Sequence, residues 1–322
     1  MRKSPVTFML FLSLLLLHLT HERYQIWAEA MEPKLAELLG EKKAEHQAKL
    51  IIDADALKPI EPIAGSLVIV GGGKVLPDVI WQRFMKLAGG KNAHIVVIPT
   101  ARKEADKLDL DEYLKKWRDR NPASVTILHT RSKEDANDPN FVKPLEKATA
   151  IWFGGGGQSR IADAYLGTLA EKKFHEVLKR GGVIGGTSAG AAIMSRTMIA
   201  RGHPKPEIET GLGFIPGAII DQHFIKRQRQ VRLVDAVTSY PYLVGLGIDE
   251  GTALVVYDGS KIDVLGDSCV TVIFGPHGNY PIKIEKIYPK KQTDNKPNYI
   301  ADLIKLTRLA QDRCQPTDSL SR

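Results

Sequence analysis

The sequence predicts an α/β fold whose mainly parallel sheet carries helices on both faces. Two observations carry that prediction. From Gly65 to Ser195 strand-like and helix-like segments alternate. The strand-like segments are continuous apolar runs, the pattern of strands buried on both faces, not the in–out alternation of a half-exposed sheet. A third observation says where a ligand would sit. Glycine-rich turns follow three of the strands, at the carboxyl ends where open α/β sheets bind their ligands. The composition of the 322-residue chain, 43% hydrophobic and 25% charged, allows a full-sized core. A net charge of +8 suits either an acidic partner or a solvated basic surface. No nucleic-acid motif and no zinc-ligand spacing accompanies it, so neither partner is indicated.

In chain order, residues 1–30 read as a signal peptide. Arg2 and Lys3 precede an apolar run, Phe8–Leu17, that is too short to span a bilayer, and Ala28-Glu29-Ala30 offers a cleavage site. An earlier cut near Thr20–Gln25, or retention as an anchor, stays open. Residues 31–60 form an expected helical extension closed by Pro59 and Pro62. The α/β domain is expected over 61–288. Its first strand is Ser66–Val70, leading into Gly71-Gly72-Gly73. A helix over Val79–Leu87, a strand over His94–Pro99, a helix over Leu108–Arg118 and a strand over Ser124–Leu128 follow. The charged stretch 131–147 bridges to a strand at Ala150–Phe153, four glycines at Gly154–Gly157, and one long helix over Ile161–Leu178. Beyond the loop 203–217, a helix is predicted over Phe224–Val237. Short meander-like strands follow at Leu243–Gly247, Thr252–Val256, Lys261–Val264, Val270–Phe274 and Ile282–Ile287. Residues 289–322 read as a basic tail with one apolar helix candidate, Tyr299–Leu309. Export permits a Cys269–Cys314 disulfide, but a buried free Cys269 in a strand-like run with a loose Cys314 in the polar tail is expected at least as much.

The stretch Gly181–Ser195 organises the rest. A buried strand at Val183-Ile184 runs into Gly186-Thr187-Ser188-Ala189-Gly190, a G-x-S-x-G nucleophile elbow, with a helix beginning near Ala189. So sharp a turn strains the backbone at Ser188, and a Cβ at Gly186 or Gly190 would collide with the strand or the helix. The plainer alternative is a glycine-rich turn with Ser188 as an ordinary helix cap. Partners decide between the two. Four consecutive glycines at 154–157 imply a demand for bare backbone, which an oxyanion hole made by the N–H groups of Gly156 and Ala189 would explain. Gln158 would reach the same cleft. Gly71–Gly73 lacks dinucleotide-loop spacing and reads as a close backbone approach to the active centre.

The general base should be a histidine, and His223 stands out. It ends the apolar run Ile219–Ile220 in a polar cluster, Asp221-Gln222-His223, with Arg227, Arg229 and Arg232 just beyond. Arg229 and Arg232 are three apart, so on a helix they point together. Asp249-Glu250 closes another strand, where alternation lets only one of the two face the site.

With these residues assembled, the chain resembles the cyanophycinases and their relatives, a serine peptidase family that includes dipeptidases specific for N-terminal aspartate. The resemblance lies in Gly185–Ala191, in Asp221–Phe224 with the three arginines, and in Gly247-Ile248-Asp249-Glu250, and runs from about Gly65 to Phe274. It implies a flavodoxin-like, glutamine-amidotransferase-like sandwich. It further implies Ser188 as nucleophile, His223 as base and Glu250 as orienting acid, with Gln158, Asp221, Gln222, Arg227, Arg229 and Arg232 lining the substrate pocket. One departure touches the substrate: where relatives carry Gly-Gly-Asp-Gln, this chain has Gly157 before Gln158.

The expected activity is that of an exported serine exopeptidase acting on a polymer of aspartate with arginine on its side-chain carboxyls, needing no metal or organic cofactor. The expected partner is this peptide. A homodimer is compatible with the sequence, and no membrane span should remain after signal cleavage. Three rivals stand. One is a dipeptidase for N-terminal Asp. Another is an esterase of α/β-hydrolase type using His277 with Asp258 or Asp263. The last is a catalytically silent binding protein.

Overall fold

The structure, a computed structural model, describes residues 59–290 and 300–314. The expected signal peptide and nearly all of the expected extension lie outside these residues. The first strand among the described residues is the central β1 (Ser66–Val70), and helix α1 (Asp78–Ala88) and strand β2 (His94–Ile98) follow. Ile80, Phe84 and Ala88 recur every four residues in α1, so one face is apolar and buried, and Gly89 stops the helix with φ 104°. Helix α2 (Leu110–Arg118) starts where the Asp109 carboxylate accepts from the Asp111 and Glu112 N–H groups. Strand β3 (Ser124–Ile127) and two single helical turns lead to β4 (Ala150–Phe153).

The long helix expected after β4 is two helices, α3 (Gln158–Tyr165) and α4 (Leu169–Lys179). Gly167 turns the chain at φ 78° and the Thr168 hydroxyl caps α4, so the apolar periodicity continues through a break it does not reveal. Strand β5 (Val183–Thr187) follows, then the short helix α5 (Ala189–Ala192) and the hairpin β6 (Thr197–Arg201) and β7 (Glu207–Thr210). Strand β8 (Ala218–Gln222) precedes helix α6 (Gln230–Ser239). That helix begins six residues later than predicted. Residues 224–229 form tight turns instead, with Gln228 at φ 51°.

The remaining strands are β9 (Val244–Ile248), β10 (Thr252–Tyr257), β11 (Lys261–Gly266), β12 (Val270–Phe274), β13 (Lys283–Ile287) and β14 (Ala301–Asp302). They do not form one meander. The large sheet has the order β14-β11-β10-β1-β5-β4-β2-β3, and a second sheet the order β13-β12-β9-β8. In the large sheet β1, β5, β4, β2 and β3 are parallel, while β10, β11 and β14 run antiparallel. In the second, β8 and β9 are parallel.

Alternate residues of the parallel strands enter two separate cores. Leu67, Ile69, Val96 and Ile98 pack with Phe174 of α4 and Ala191 of α5. Val68, Val70, Ile95 and Val97 pack under Phe84 of α1 and Trp117 of α2. Helices therefore cover both faces, as the unbroken apolar runs require. The supposed basic tail needs correcting: β14 pairs with β11, and Leu303 and Ala310 of helix α7 (Leu303–Asp312) enter the main core. Cys269 and Cys314 are both buried free thiols.

Candidate active site

Ser188 follows β5 at φ 56° and ψ −112°, and its side chain makes no capping bond to α5. The ordinary-cap alternative therefore does not describe it. The elbow is built as its glycines suggested. A Cβ at Gly186 would come within 3.0 Å of the Gly190 backbone, and one at Gly190 within 3.0 Å of Phe153. Strand β5 and its helix can approach only because both positions are bare.

The Ser188 Oγ lies 2.8 Å from His223 Nε2, and His223 Nδ1 lies 2.6 Å from Glu250 Oε1. His223 and Glu250 stand just past β8 and β9, neighbouring parallel strands of the second sheet, with Gln222 opposite Ile248. Of the two acids, Glu250 faces the imidazole, and Asp249 accepts from the Lys226 N–H at 2.9 Å. Alternation at a strand end explains that split.

The strand β1 turn aligns all three. The carbonyls of Val70, Gly71 and Gly72 accept in succession from the N–H groups of Ser188 (3.0 Å), His223 (2.7 Å) and Gly251 (2.9 Å). One extended segment thus fixes the chain at Ser188, at His223 and beside Glu250. The three glycines in a row were the sequence's signal of close approach; this hydrogen-bond ladder was not legible. Gly72 sits at φ 110°, and a Cβ there would fall within 3.0 Å of three imidazole ring atoms. Gly72→Ala should therefore push the ring off Ser188. A misplacement of about 1 Å costs on the order of 10²-fold, so kcat should fall by that factor. A variant with wild-type kcat would remove Gly72 from the machinery.

Burial lowers the His223 pKa below its ordinary 6.5; Glu250 pulls the other way, and Arg227 and Arg229 add to the lowering. A carboxylate partner raises an imidazole pKa, but here burial outweighs Glu250.

The glycine turn after β4 lies against Ser188. A Cβ at Gly155 would stand 3.5 Å from Ser188 Cβ. The Gly157 N–H is held by the Ala101 carbonyl at 2.8 Å. No backbone bond among the described residues uses the N–H of Gly156 or of Ala189. At Gly157 a Cβ would lie 3.0 Å from Arg160 Nη1, which donates to the Ala101 carbonyl.

Several expected pocket residues are turned inward. Gln158 is buried and donates to the Ile199 and Ala200 carbonyls at 2.8 and 2.7 Å, tying α3 to β6. Asp221 is 1% exposed. Arg232 grips it through Nε at 2.9 Å and through Nη2, and gives Nη1 to the Gly202 carbonyl. The expected place of Asp221 in the lining of the substrate pocket is therefore corrected: its oxygens already hold Arg232. Burial raises the Asp221 pKa, while Arg232 and then Arg229 pull it down. Arg229 reaches the Gln222 carbonyl and side-chain oxygen at 2.7 and 2.9 Å, and burial lowers its pKa to about 10. Arg229 and Arg232 do point together, as their spacing implied, but toward Asp221. Arg227 alone of the three is exposed.

The esterase alternative finds no support in the geometry. Asp263 pairs with Arg83 at 2.9 Å, Asp258 with Lys261 at 3.2 Å, and the His277 backbone pairs with Tyr280 in the β12–β13 turn.

Residues 67–264 match the family model described as peptidase family S51. A cyanophycinase from Geminocystis herdmanii is 35% identical over 228 residues, covering 68% of this chain and 84% of that protein. One from Synechococcus elongatus is 34% identical over 219 residues, covering 65% of this chain and 68% of its own length. Among solved structures, a peptidase from an acI-B1 actinobacterium is similar with a TM-score of 0.53 at 25% identity, over 71% of this chain and 98% of that one.

Proposed function

The chain belongs to peptidase family S51, and from that membership we propose that it is a serine peptidase that releases dipeptides from a β-aspartyl-arginine polymer of the cyanophycin type. The observation that carries this is the unbroken relay from Ser188 Oγ through His223 to Glu250, at 2.8 and 2.6 Å, in a chain whose relatives are cyanophycinases.

In this reading His223 Nε2 takes the Ser188 proton as Oγ attacks the aspartyl carbonyl, while Glu250 holds the Nδ1–H and stabilises the imidazolium. The N–H groups of Ala189 and Gly156 receive the oxyanion. The imidazolium gives its proton to the departing amine, leaving an acyl-enzyme on Ser188. Water then attacks, passing a proton to His223, and Ser188 recovers it as the acid leaves. Arg227, with the outer edge of Arg229, offers charge to a substrate carboxylate.

The finer fold assignment goes with this reading. Counted from β2, the parallel strands run 2-1-3-4 with β1 in the fifth place, the flavodoxin-like order. Export is proposed from Arg2, Lys3 and the apolar run Phe8–Leu17. Amino-terminal sequencing of the secreted chain checks it, and an intact Met1 would refute it. Among the described residues, no helix is long and apolar enough to cross a membrane.

Incubation of the purified protein with cyanophycin should yield β-aspartyl-arginine. Hydrolysis of Asp-X dipeptides with the polymer left intact would instead favour the dipeptidase. The pH profile provides a second check. A base acts only when neutral, so activity is present above the His223 pKa and lost as pH falls through it. Because burial lowers that pKa, the acid limb of kcat/KM should lie below the ordinary 6.5. Arg227→Gln removes a lowering influence and should move the limb upward. A downward move would contradict the assignment.

A further inference from the structure

The glycine turn touches more than Ser188. A Cβ at Gly154 would stand 3.3 Å from Tyr113 Oη, one at Gly155 3.5 Å from Ser188 Cβ, and one at Gly156 2.9 Å from the Arg102 backbone nitrogen. Tyr113 of α2 and Arg102, just past β2, therefore border the same turn as the nucleophile. Strand order gives the direction: β4 and β2 lie on one side of β5, and β1, whose turn meets His223, on the other. This flank is opposite the one that carries Arg227.

The flank carries three clustered cations. Arg102 Cζ lies 5.6 Å and Lys116 Nζ 5.4 Å from the centre of the Tyr113 ring. Arg120 Cζ stands 4.6 Å from the Trp81 ring, which Lys116 also approaches at 5.9 Å. Among the described residues, no carboxylate forms an ion pair with Arg102, Lys116 or Arg120. Of the acids nearest in sequence, Asp119 pairs with Lys115 and Asp111 with Arg118, while Glu104 and Glu112 pair with none of the three cations. Burial, together with Arg102 and Arg120, holds the Lys116 ammonium below the usual lysine range. Arg120 gives Nη1 to the Lys116 carbonyl, whereas cations resting on an aromatic face, as Arg102 and Lys116 do on Tyr113, can keep N–H edges for a ligand, and their mutual repulsion is relieved when an anion enters. The Tyr113 hydroxyl adds a neutral donor at the turn.

We propose that Arg102, Lys116 and Tyr113 form a second carboxylate-binding subsite that holds a substrate carboxylate on the β4 flank of Ser188. Resting on the function proposed above, that group is the free α-carboxylate of an arginyl branch, since attachment through its amino group leaves the carboxylate free.

The test is binding of penta-aspartate and penta-asparagine to full-length Ser188→Ala protein, by calorimetry at low ionic strength. Adding Arg102→Gln with Lys116→Gln should weaken penta-aspartate roughly tenfold, as expected for lost charged hydrogen bonds, and leave penta-asparagine unchanged. Lys147→Gln with Lys179→Gln removes the same charge at the strands' opposite ends and should cost less than about twofold. Tyr113→Phe, which keeps the charge, should cost roughly threefold, a neutral hydrogen bond. Equal weakening by both lysine-containing pairs, unchanged binding in the site variants, or no penta-aspartate binding at all overturns the subsite. Each comparison uses variants with the parent's melting temperature. If cyanophycin stays intact with the wild-type enzyme while this binding pattern appears, the function fails and the subsite stands. If cyanophycin is cleaved and the pattern is missing, the subsite fails and the function stands.

Discussion

Ser188→Ala is expected to lower turnover on the order of 10⁶-fold, the usual cost of removing a triad nucleophile, with the melting temperature essentially unchanged. The structure separates those two effects. Alanine makes the same backbone demands at φ 56° as serine, and the Ser188 N–H keeps its bond to the Val70 carbonyl. What is lost is Oγ, whose partner is His223 Nε2 at 2.8 Å. Labelling with a serine-directed phosphonate gives an independent reading: the adduct should form on Ser188 in the wild type and vanish in the variant. Residual turnover within about tenfold of wild type would show that the covalent step runs elsewhere. A phosphonate that labels neither form would leave only the silent binding protein.

The elbow was legible because its constraint is steric and local. Gly186 and Gly190 are fixed by contacts within one turn and one neighbouring strand, and the four-residue spacing records them. His223 and Glu250 were legible in part, since polar residues ending apolar runs mark strand ends, where α/β sheets place chemistry. The choice of Glu250 over Asp249 came from resemblance, and the structure supplies the reason in Asp249's bond to the Lys226 N–H.

What the sequence concealed depends on long-range pairing. β1 pairs with β10 across most of the domain, and no local pattern says that β10 joins the first sheet while β9 and β12 build a second. Local strain concealed the start of α6. Arg227, Arg229 and Arg232 have helical spacing, but positive φ at His223 and Gln228 coils the chain first. Burial concealed the most. Asp and Arg are ordinarily exposed, so a polar cluster beside a base reads as a pocket whether it faces the cleft or the core. Asp221 and Arg232 face the core.

That difference gives the second large effect. Asp221→Ala should destabilise the fold by about 3–5 kcal/mol, because it leaves the Arg232 charge buried and unpaired. At roughly 2–4 °C per kcal/mol for a domain of this size, the melting temperature should fall by about 10 °C. Arg232 is 4% exposed, and its remaining bond to the Gly202 carbonyl does not neutralise it. Asp221→Asn keeps an acceptor and should cost less. Replacing both partners, Asp221→Leu with Arg232→Met, should recover much of the loss, since well-packed apolar residues substitute for a buried ion pair at little cost. A substrate pocket predicts the opposite pattern: unchanged melting in every variant, a raised KM for arginyl substrates in the single variants, and no recovery in the double. Thermal denaturation beside KM for the four proteins separates the two. Unchanged melting with a raised KM would return Asp221 to the cleft, whereas the rescue by the double variant fixes it as the strut that holds the His223 strand end in place.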